Sequence, residues 1–370
     1  MKRICLVMIV RNEAAVIRRC LASVKGIISH WIICDTGSTD DTRKIVLEEL
    51  NGIPGTLYDD PWVDFGHNRS LAIARARGKA DFHLLMNADE TLRMNQEFRP
   101  LLEHDAYMVR FNGPIDYHVL ALVSDRHEWR YIGVTHEHIH ADTFKTRAEL
   151  PGVTLTHHFD GGSRANKYQR DVELLTKGLA TEPDNARYVF YLAQSYRDLG
   201  LMYQALEWYQ KRAAMGGWDE EVWYSMYQVA RIQHQSTMAW PQVLNSYLAA
   251  YQFRPSRLEP VLYIARYYRE TKQYDLGYLF SRLCLETPYP DDILFIERNS
   301  YEYELPLEYG ICCYWIGKHE EAIRVNDAII ARPNVPANFL ETARKNKQYS
   351  VEFLSKTVPS AGVAPPAFGG

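Results

Sequence analysis

The sequence predicts an α/β domain built on a mostly parallel sheet, followed by an all-α array of paired helices. Three observations carry that prediction. Apolar runs of strand length alternate with stretches of helical spacing up to about residue 180. From about Asn185 onward only helical spacing remains. Within that second part, small and aromatic residues recur at fixed steps, as they do in repeat architectures.

Ile4 to Val10 is a continuous apolar run, the pattern of a parallel strand covered on both faces. Between Glu13 and Val24, the apolar residues Val16, Ile17, Leu21 and Val24 fall on one helix face. Trp31 to Cys34 reads as a second strand. Asp40 to Leu50 reads as a second helix, capped by Ser38 or Thr39 with acids in its first turn. A third helix, Arg69 to Arg77, ends at Gly78, and Phe82 to Met86 reads as a third strand. Strand–helix–strand repetition of this kind builds βαβ units.

In the helical part, YLAQSYRDLGLMYQALEWYQ places Ala193, Tyr196, Ala205 and Tyr209. The same internal steps recur as Ala265, Tyr268, Gly277 and Ser281, closing with Pro288, and again as Gly310, Cys313, Ala322 and Asn326. Ala230 belongs to a looser unit with an insertion around Trp240-Pro241. Small residues let paired helices approach closely, and large aromatics fill the grooves between them. Most of the chain's 25 Tyr and 8 Trp are therefore expected in the core. The pattern resembles a tetratricopeptide (TPR) array over roughly residues 185 to 335. The expected organisation is a first domain over 1–180, a helical repeat domain over 185–350, and a tail over 357–370. The run VPSAGVAPPAFGG has no periodicity, so that tail is expected to be disordered.

The charge balance, 42 Lys+Arg against 46 Asp+Glu, gives a formal net charge of −4. This argues against a protein that lives on polyanions, whose affinity rests on an excess of Lys and Arg. The six cysteines form no C-x-x-C pair, and most sit in apolar runs, where a small hydrophobe is the plain reading. The opening MKRICLVMIV runs into Arg11-Asn12-Glu13 without a small-residue cleavage site, so it reads as a strand and not a signal peptide. No stretch approaches the ~20 apolar residues of a membrane helix. A cytoplasmic protein without a membrane span is the expectation.

Chemistry is expected beyond the carboxyl ends of the strands, where open parallel sheets bind ligands. Three polar segments lie there: Val10-Arg11-Asn12-Glu13, Asp35 to Thr42, and Asn87-Ala88-Asp89-Glu90. Ser38, Thr39 and Asp40 are expected to cap a helix, but an acidic cluster closing three strands would line one crevice. Neither G-x-G-x-x-G nor G-x-x-x-x-G-K-[ST] occurs, so neither usual phosphate cradle is present. Acids near phosphates need a hard divalent cation to cancel the repulsion. Asp89 followed by Glu90 suits Mg2+ or Mn2+ through oxygen ligands, whereas Asp35 would hold a base and ribose directly.

The run IVRNEAAVIRRCLASV…WIICDTGSTDDT…FGHNRSLAIARARGKADFHLLMNADETL resembles the family-2 glycosyltransferases of the GT-A fold, over about residues 4 to 92. The resemblance implies a Rossmann-like sheet and an inverting, metal-assisted sugar transfer. Its donor would be a nucleotide sugar, a UDP-sugar for preference. Asp35 then matches the acid that contacts the base, with Val10, Arg11, Asn12 and Glu13 flanking it. Arg69 matches the basic residue of the nucleotide pocket. Asn87-Ala88-Asp89 falls on the D-x-D metal motif, with Asn87 in place of the first acid and Asp89 left to meet Mn2+ or Mg2+. An amide at 87 would bond a ribose or sugar hydroxyl. Trp129, Tyr131, Gly133, His136 and Glu137 resemble the W-x-x-x-G-x-x-H-E stretch beside the acceptor site. Glu137 is the implied general base, with His136 orienting or substituting. Two adjacent histidines after a strand suggest zinc by themselves, although no Cys or H-E-x-x-H helix is near. The resemblance instead implies His157 or His158 as a further ligand of the divalent metal. Arg164 and Lys167 would then neutralise the leaving diphosphate.

The implied partners are a nucleotide-sugar donor and an acceptor whose class stays open among saccharide, peptide or protein, small molecule and modified nucleobase. The helical repeats would recognise that acceptor or hold a homodimer together, since repeat arrays present extended concave surfaces. The competing reading is a scaffold: a degenerate transferase domain, with Asn87 as its mark, and the repeats as the functional part.

Overall fold

The computed structural model describes all residues except 96, 113–116, 163–165 and 358–370. Arg164 and nearly all of the tail expected over 357–370 therefore lie outside the described residues. The chain divides into two compact units, Met1–Leu199 and Gly200–Gly370.

The first unit is organised by one eight-stranded sheet. Its elements are β1 (Ile4–Val10), α1 (Ile17–Val24), β2 (His30–Asp35), α2 (Thr42–Glu49), β3 (Gly55–Asp59), α3 (Phe65–Ala76) and β4 (Phe82–Leu85). Then come β5 (Glu90–Met94), β6 (Ala106–Asn112), β7 (Tyr117–Ser124), the small pair β8 (Arg130–Ile132) and β9 (His138–His140), and β10 (Arg147–His157). Two helices close the unit, α4 (Lys167–Thr181) and α5 (Ala186–Asp198). The strand order is β3-β2-β1-β4-β7-β6-β10-β5. β3, β2, β1 and β4 run parallel, as does β10 beside β6. β4–β7, β6–β7 and β10–β5 are antiparallel.

β1 shows why the sheet is doubly covered. Ile4, Leu6, Met8 and Val10 enter a core with Ile17, Cys20, Leu21 and Val24 of α1. Cys5 and Val7 enter another with Ala72, Ile73 and Ala76 of α3. Every second residue thus serves one face, as a period-2 chain must. The sequence reading missed β3, a short and half-exposed strand whose residues make no apolar run. It also began α1 too early. The N–H groups of Glu13 and Ala14 are taken by Thr42 Oγ1 and Asp40 Oδ2, so they do not enter the helix. In turn α3 begins earlier than Arg69, because Asp64 caps it by accepting from the His67 N–H at 2.7 Å.

The second unit is all-α. It contains α6 (Met202–Ala214), α7 (Asp219–Gln235), α8 (Trp240–Phe253), α9 (Glu259–Glu270), α10 (Tyr274–Ser281), α11 (Leu305–Trp315), α12 (His319–Ile330) and α13 (Ala337–Thr357). Each helix packs on the next, and α9 and α11, like α11 and α13, also touch directly. This is a solenoid of the TPR kind. The repeat positions Ala205, Tyr209, Ala265, Ser281, Cys313, Ala322 and Asn326 are all buried. A Cβ on Gly277 would stand 2.6 Å from Cys312 Sγ, so only a residue without one lets α10 seat against α11. Trp223, Tyr209, Tyr227 and Tyr247 are fully buried, as the packing argument requires. The six cysteines are free thiols. Among the described residues no helix is long and apolar enough to cross a membrane.

Candidate active site

β2, β1 and β4 are neighbours, so their carboxyl ends deliver Asp35, Val10 and the Asn87–Asp89 segment to one edge of the sheet. The loops after β1 and β2 are bolted together there. Ser38 Oγ accepts from the Asn12 N–H at 2.9 Å, and Asn12 Oδ1 accepts from the Thr39 N–H at 2.7 Å. Ser38 and Thr39 therefore do not cap α2; of the three expected caps it is Asp40 whose Oδ1 accepts from the Thr42 N–H, at 3.0 Å. Asn12 is turned toward this loop and away from the cavity, in left-handed backbone at φ +53°.

The cavity, of about 540 Å³, is lined by Val10, Arg11, Glu13, Arg69, Asn87, Ala88, Asp89, His136, Glu137, His157 and Lys167 among the expected residues. The expected residues thus converge from segments as far apart as 10 and 167. Trp62, Phe65, Thr135, Arg170 and Asp171 also line it, and the sequence reading missed them. They carry no motif. A tryptophan in a loop and an Arg-Asp pair inside a helix look like ordinary surface until α3 and α4 turn them inward.

Glu137 is held by Arg69, Nε to Oε1 at 2.7 Å. The same guanidinium donates through Nη2 to Asn87 Oδ1 at 2.6 Å and lies 5.6 Å from the Tyr131 ring. Burial works against the charged guanidinium, but Glu137 overrides it and the Arg69 pKa is raised. Asn87 turns to Glu90: its backbone N–H and its amide both donate to the Glu90 carboxylate, at 2.7 and 2.8 Å. Glu90 is buried, and desolvation pushes its pKa up to about 7 against those two bonds. An aspartate at 87 would press a second carboxylate on Glu90. The amide satisfies it, which accounts for the departure from D-x-D. Asn87 still lines the cavity with a second amide N–H beyond the one given to Glu90.

Asp89 faces His157, whose Nε2 is 3.3 Å from Oδ2. His157 Nδ1 accepts from the Phe159 N–H at 3.0 Å, so the neutral ring carries its proton on Nε2, toward Asp89. His158 sits elsewhere, at 2.9 Å from Thr91 Oγ1 on β5, so of the two histidines only His157 reaches the cavity. Glu13 accepts from the Gly162 N–H at 2.9 Å, and burial raises its pKa. Among the described residues no group of three or more His, Cys, Asp or Glu side chains could hold a metal ion by itself. For Asp89 and His157 to hold a divalent cation, the His157 proton would have to leave Nε2 for Nδ1, giving up the bond from the Phe159 N–H. Asp35 lies just outside the cavity lining and is fully buried. Its Oδ1 accepts from the Gly37 and Ser38 N–H groups, while Oδ2 has no hydrogen-bond partner. An orphaned buried carboxylate oxygen is costly and points to a missing donor.

Two expectations about the acceptor side are corrected in part. Trp129 is buried in the core beneath β8, its Nε1 donating to the Ser124 carbonyl, and does not meet the cavity. Tyr131 is half-buried behind Arg69 and also outside the lining. The glycine of that motif has a steric cause: Gly133 is at φ +111°, and its carbonyl would be 2.3 Å from a Cβ on Gly66. His136, at φ +50°, is pushed down to about 4, by burial first and by Lys167 second.

An α/β sheet with acids, an arginine and a histidine gathered beyond its parallel strand ends defines a domain of the GT-A class. Residues 5–155 match the model of glycosyl transferase family 2, and the chain carries a family-2 glycosyltransferase domain there. It is 44% identical over 92 residues to a TPR repeat-containing protein of Synechococcus elongatus, spanning 25% of this chain and 22% of that one. It is 36% identical over 92 residues to an uncharacterized glycosyltransferase of Rickettsia felis, spanning 25% of this chain and 30% of that one. The chain thus spans less than a third of either relative. Among solved structures, "YrrB: a TPR protein with an unusual peptide-binding site" aligns at a TM-score of 0.36 with 16% identity, covering 50% of this chain and 91% of that one.

Proposed function

We propose that the first unit transfers a sugar from a nucleotide-sugar donor, a UDP-sugar for preference, to an acceptor nucleophile with inversion. The observation that supports this best is the meeting of Arg69, Glu137, Asn87, Asp89 and His157 in one cavity at the ends of three adjacent strands. Asp35, buried beside the Arg43 guanidinium and outside the lining, would offer its unpaired Oδ2 to a donor N–H of the base only once the loop after β2 opened. Asp89 and a His157 with Nε2 unprotonated would hold Mn2+ or Mg2+, which would supply Lewis-acid stabilisation of the leaving diphosphate. Lys167, whose Nζ is 2.9 Å from Asp171 Oδ2, adds positive charge on the same side.

Glu137 takes the acceptor's proton as the nucleophile attacks the anomeric carbon on the face opposite the diphosphate. Arg69 fixes its carboxylate through Oε1. His136 is the weaker candidate, because a ring pushed down to about 4 has little basicity to offer at neutral pH. Inversion follows from a single displacement in which no protein nucleophile touches the sugar. The acceptor's class stays open among the four named above, with the helical unit as its recognition surface or as a homodimer contact. The scaffold reading stays as the alternative, and the Asn87 bonds to Glu90 give that residue a role compatible with either.

Calorimetry with UDP and Mn2+ on the full chain tests the site, with micromolar to sub-millimolar binding expected and loss of it in Asp89→Ala. Absence of binding at millimolar UDP would sink the UDP preference, and absence of binding by every nucleoside diphosphate in a panel would sink the transferase reading. Turnover of a panel of nucleotide sugars, read as nucleotide release, then identifies the donor.

A further inference from the structure

The family match ends at residue 155, yet the loop that carries Glu137 is held from beyond it. His136, the residue before the proposed base, sits in left-handed backbone at φ +50°, a conformation that persists only where its surroundings impose it. Those surroundings are α4 and α5. Arg187 of α5 donates to the His136 carbonyl through both Nε and Nη2, at 3.2 and 2.8 Å. Tyr191, one turn further along α5, stacks on the His136 ring with centroids 4.0 Å apart and planes 7° from parallel. Arg187 also lies 4.9 Å from the Tyr191 ring, so the two side chains brace each other.

From α4, the buried Asp171 accepts from Thr135 Oγ1 at 3.0 Å and stands 3.8 Å from His136 Nε2. The hairpin itself is seated on the loop. A Cβ on Gly178 of α4 would be 2.9 Å from the Tyr188 ring of α5 and 3.3 Å from Val134. On the other flank, the Phe65 N–H donates to the Val134 carbonyl at 3.1 Å. Residues 134 to 136 are therefore fixed at successive positions by α3, α4 and α5. Neither Arg187 nor Tyr191 lines the cavity, so neither touches what binds there.

We propose that α5 belongs to the catalytic unit, and that Arg187 and Tyr191 are positioning residues which hold the His136–Glu137 turn so that Glu137 meets the acceptor. The proposal rests on the transferase reading for its catalytic consequence and on the loop contacts for its structural one. The helix that opens the repeat pattern in the sequence thus completes the site, and a domain cut at the end of the family match would lack its clamp. A misplacement of about 1 Å in a general base costs on the order of 100-fold in rate.

The test uses the full chain and four variants: Arg187→Ala, Arg187→Lys, Tyr191→Ala and Tyr191→Phe. Hydrogen exchange is read on peptides covering 133–138, with β1 peptides as the folding control. UDP–Mn2+ binding is read by calorimetry, and turnover with a nucleotide sugar that the panel identifies. Arg187→Ala and Tyr191→Ala are expected to speed exchange in the loop at least tenfold while β1 stays protected. They should lower kcat about 10- to 100-fold with UDP affinity within threefold of wild type. Tyr191→Phe, which keeps the stacked ring, should behave as wild type, and Arg187→Lys should recover part of both losses. Unchanged loop exchange in both alanine variants overturns the clamp. Faster exchange with unchanged kcat overturns its catalytic role. Wild-type protein that releases no nucleotide from any sugar donor counts against the transferase reading instead, and loop exchange alone then decides the clamp.

Discussion

Both units bury charge, but they treat it differently. In the helical unit the fully buried Arg257 is saturated. It donates to Glu259 from Nε and Nη2, to Asp292 and the Leu294 carbonyl from Nη1, and to the Phe295 carbonyl from Nη2. Its guanidinium lies 3.8 Å from the Trp223 ring, and Glu259 takes a further bond from Tyr301. In the first unit Asp60, bidentate with Arg75, and Asp105, bonded by the Lys145 and Thr146 N–H groups, are as well served, but two carboxylates near the strand ends stand apart. Asp35 keeps one oxygen without a hydrogen bond, and Glu90 is pushed up to about 7. Where polar groups close on one another they fasten a loop to a helix. Asp35 and Glu90 are instead sealed near the strand ends, outside the cavity lining.

The sharpest break of this contrast is Glu137→Gln, which keeps shape and removes the basic oxygen. Turnover should fall by about a thousandfold, with UDP affinity unchanged by calorimetry, because general-base catalysis contributes roughly that much. Next comes Arg257→Ala, which strands Glu259 in the interior. Denaturant unfolding should show a loss of about 3–5 kcal/mol, with UDP binding by the intact fraction unaltered.

Glu90 yields a pH test. Its folded pKa lies above the ordinary 4.5, so the folded state binds more protons than the unfolded one between pH 4.5 and about 7. Its contribution to stability is therefore present at the acidic end of that window and lost as pH rises through it. Glu90→Gln should flatten that decline, by about 3 kcal/mol at most for a shift of this size. Chemical unfolding across pH 5–8 checks it, and an equally steep decline in the variant would count against a titrating Glu90. The smallest effect belongs to Trp129→Phe. A core residue behind β8 should cost about 1–2 kcal/mol of stability and leave KM for the acceptor unchanged. A raised KM would restore Trp129 to the acceptor side.

How much was legible differs along the chain. β1 announced itself in seven apolar residues, and the buried small residues of the repeats announced themselves by step length. β3 left no pattern, because a half-exposed strand beside β2 needs none. The motif residues Arg69, Asp89, Glu137 and His157 could be named in advance, with His157 placed ahead of His158 only by its position in the motif. Adjacent strand residues face opposite ways, and only the pairing of β10 with β5 decides which one meets Asp89. Trp129 was misplaced for the same reason: spacing reports that a residue belongs to a motif, not which way it faces.

What the sequence alone determined is thus the βαβ order, the helical repeat and the chemical types that close the strands, since period and residue type are local properties. Only the tertiary structure decided that Asn87 answers Glu90, that Asp35 keeps an unsatisfied oxygen, and that α5 grips the turn before Glu137. Those outcomes depend on desolvation and on hydrogen bonds between groups brought together by the fold. Arg187 and His136 are 51 residues apart in the chain and 2.8 Å apart in space.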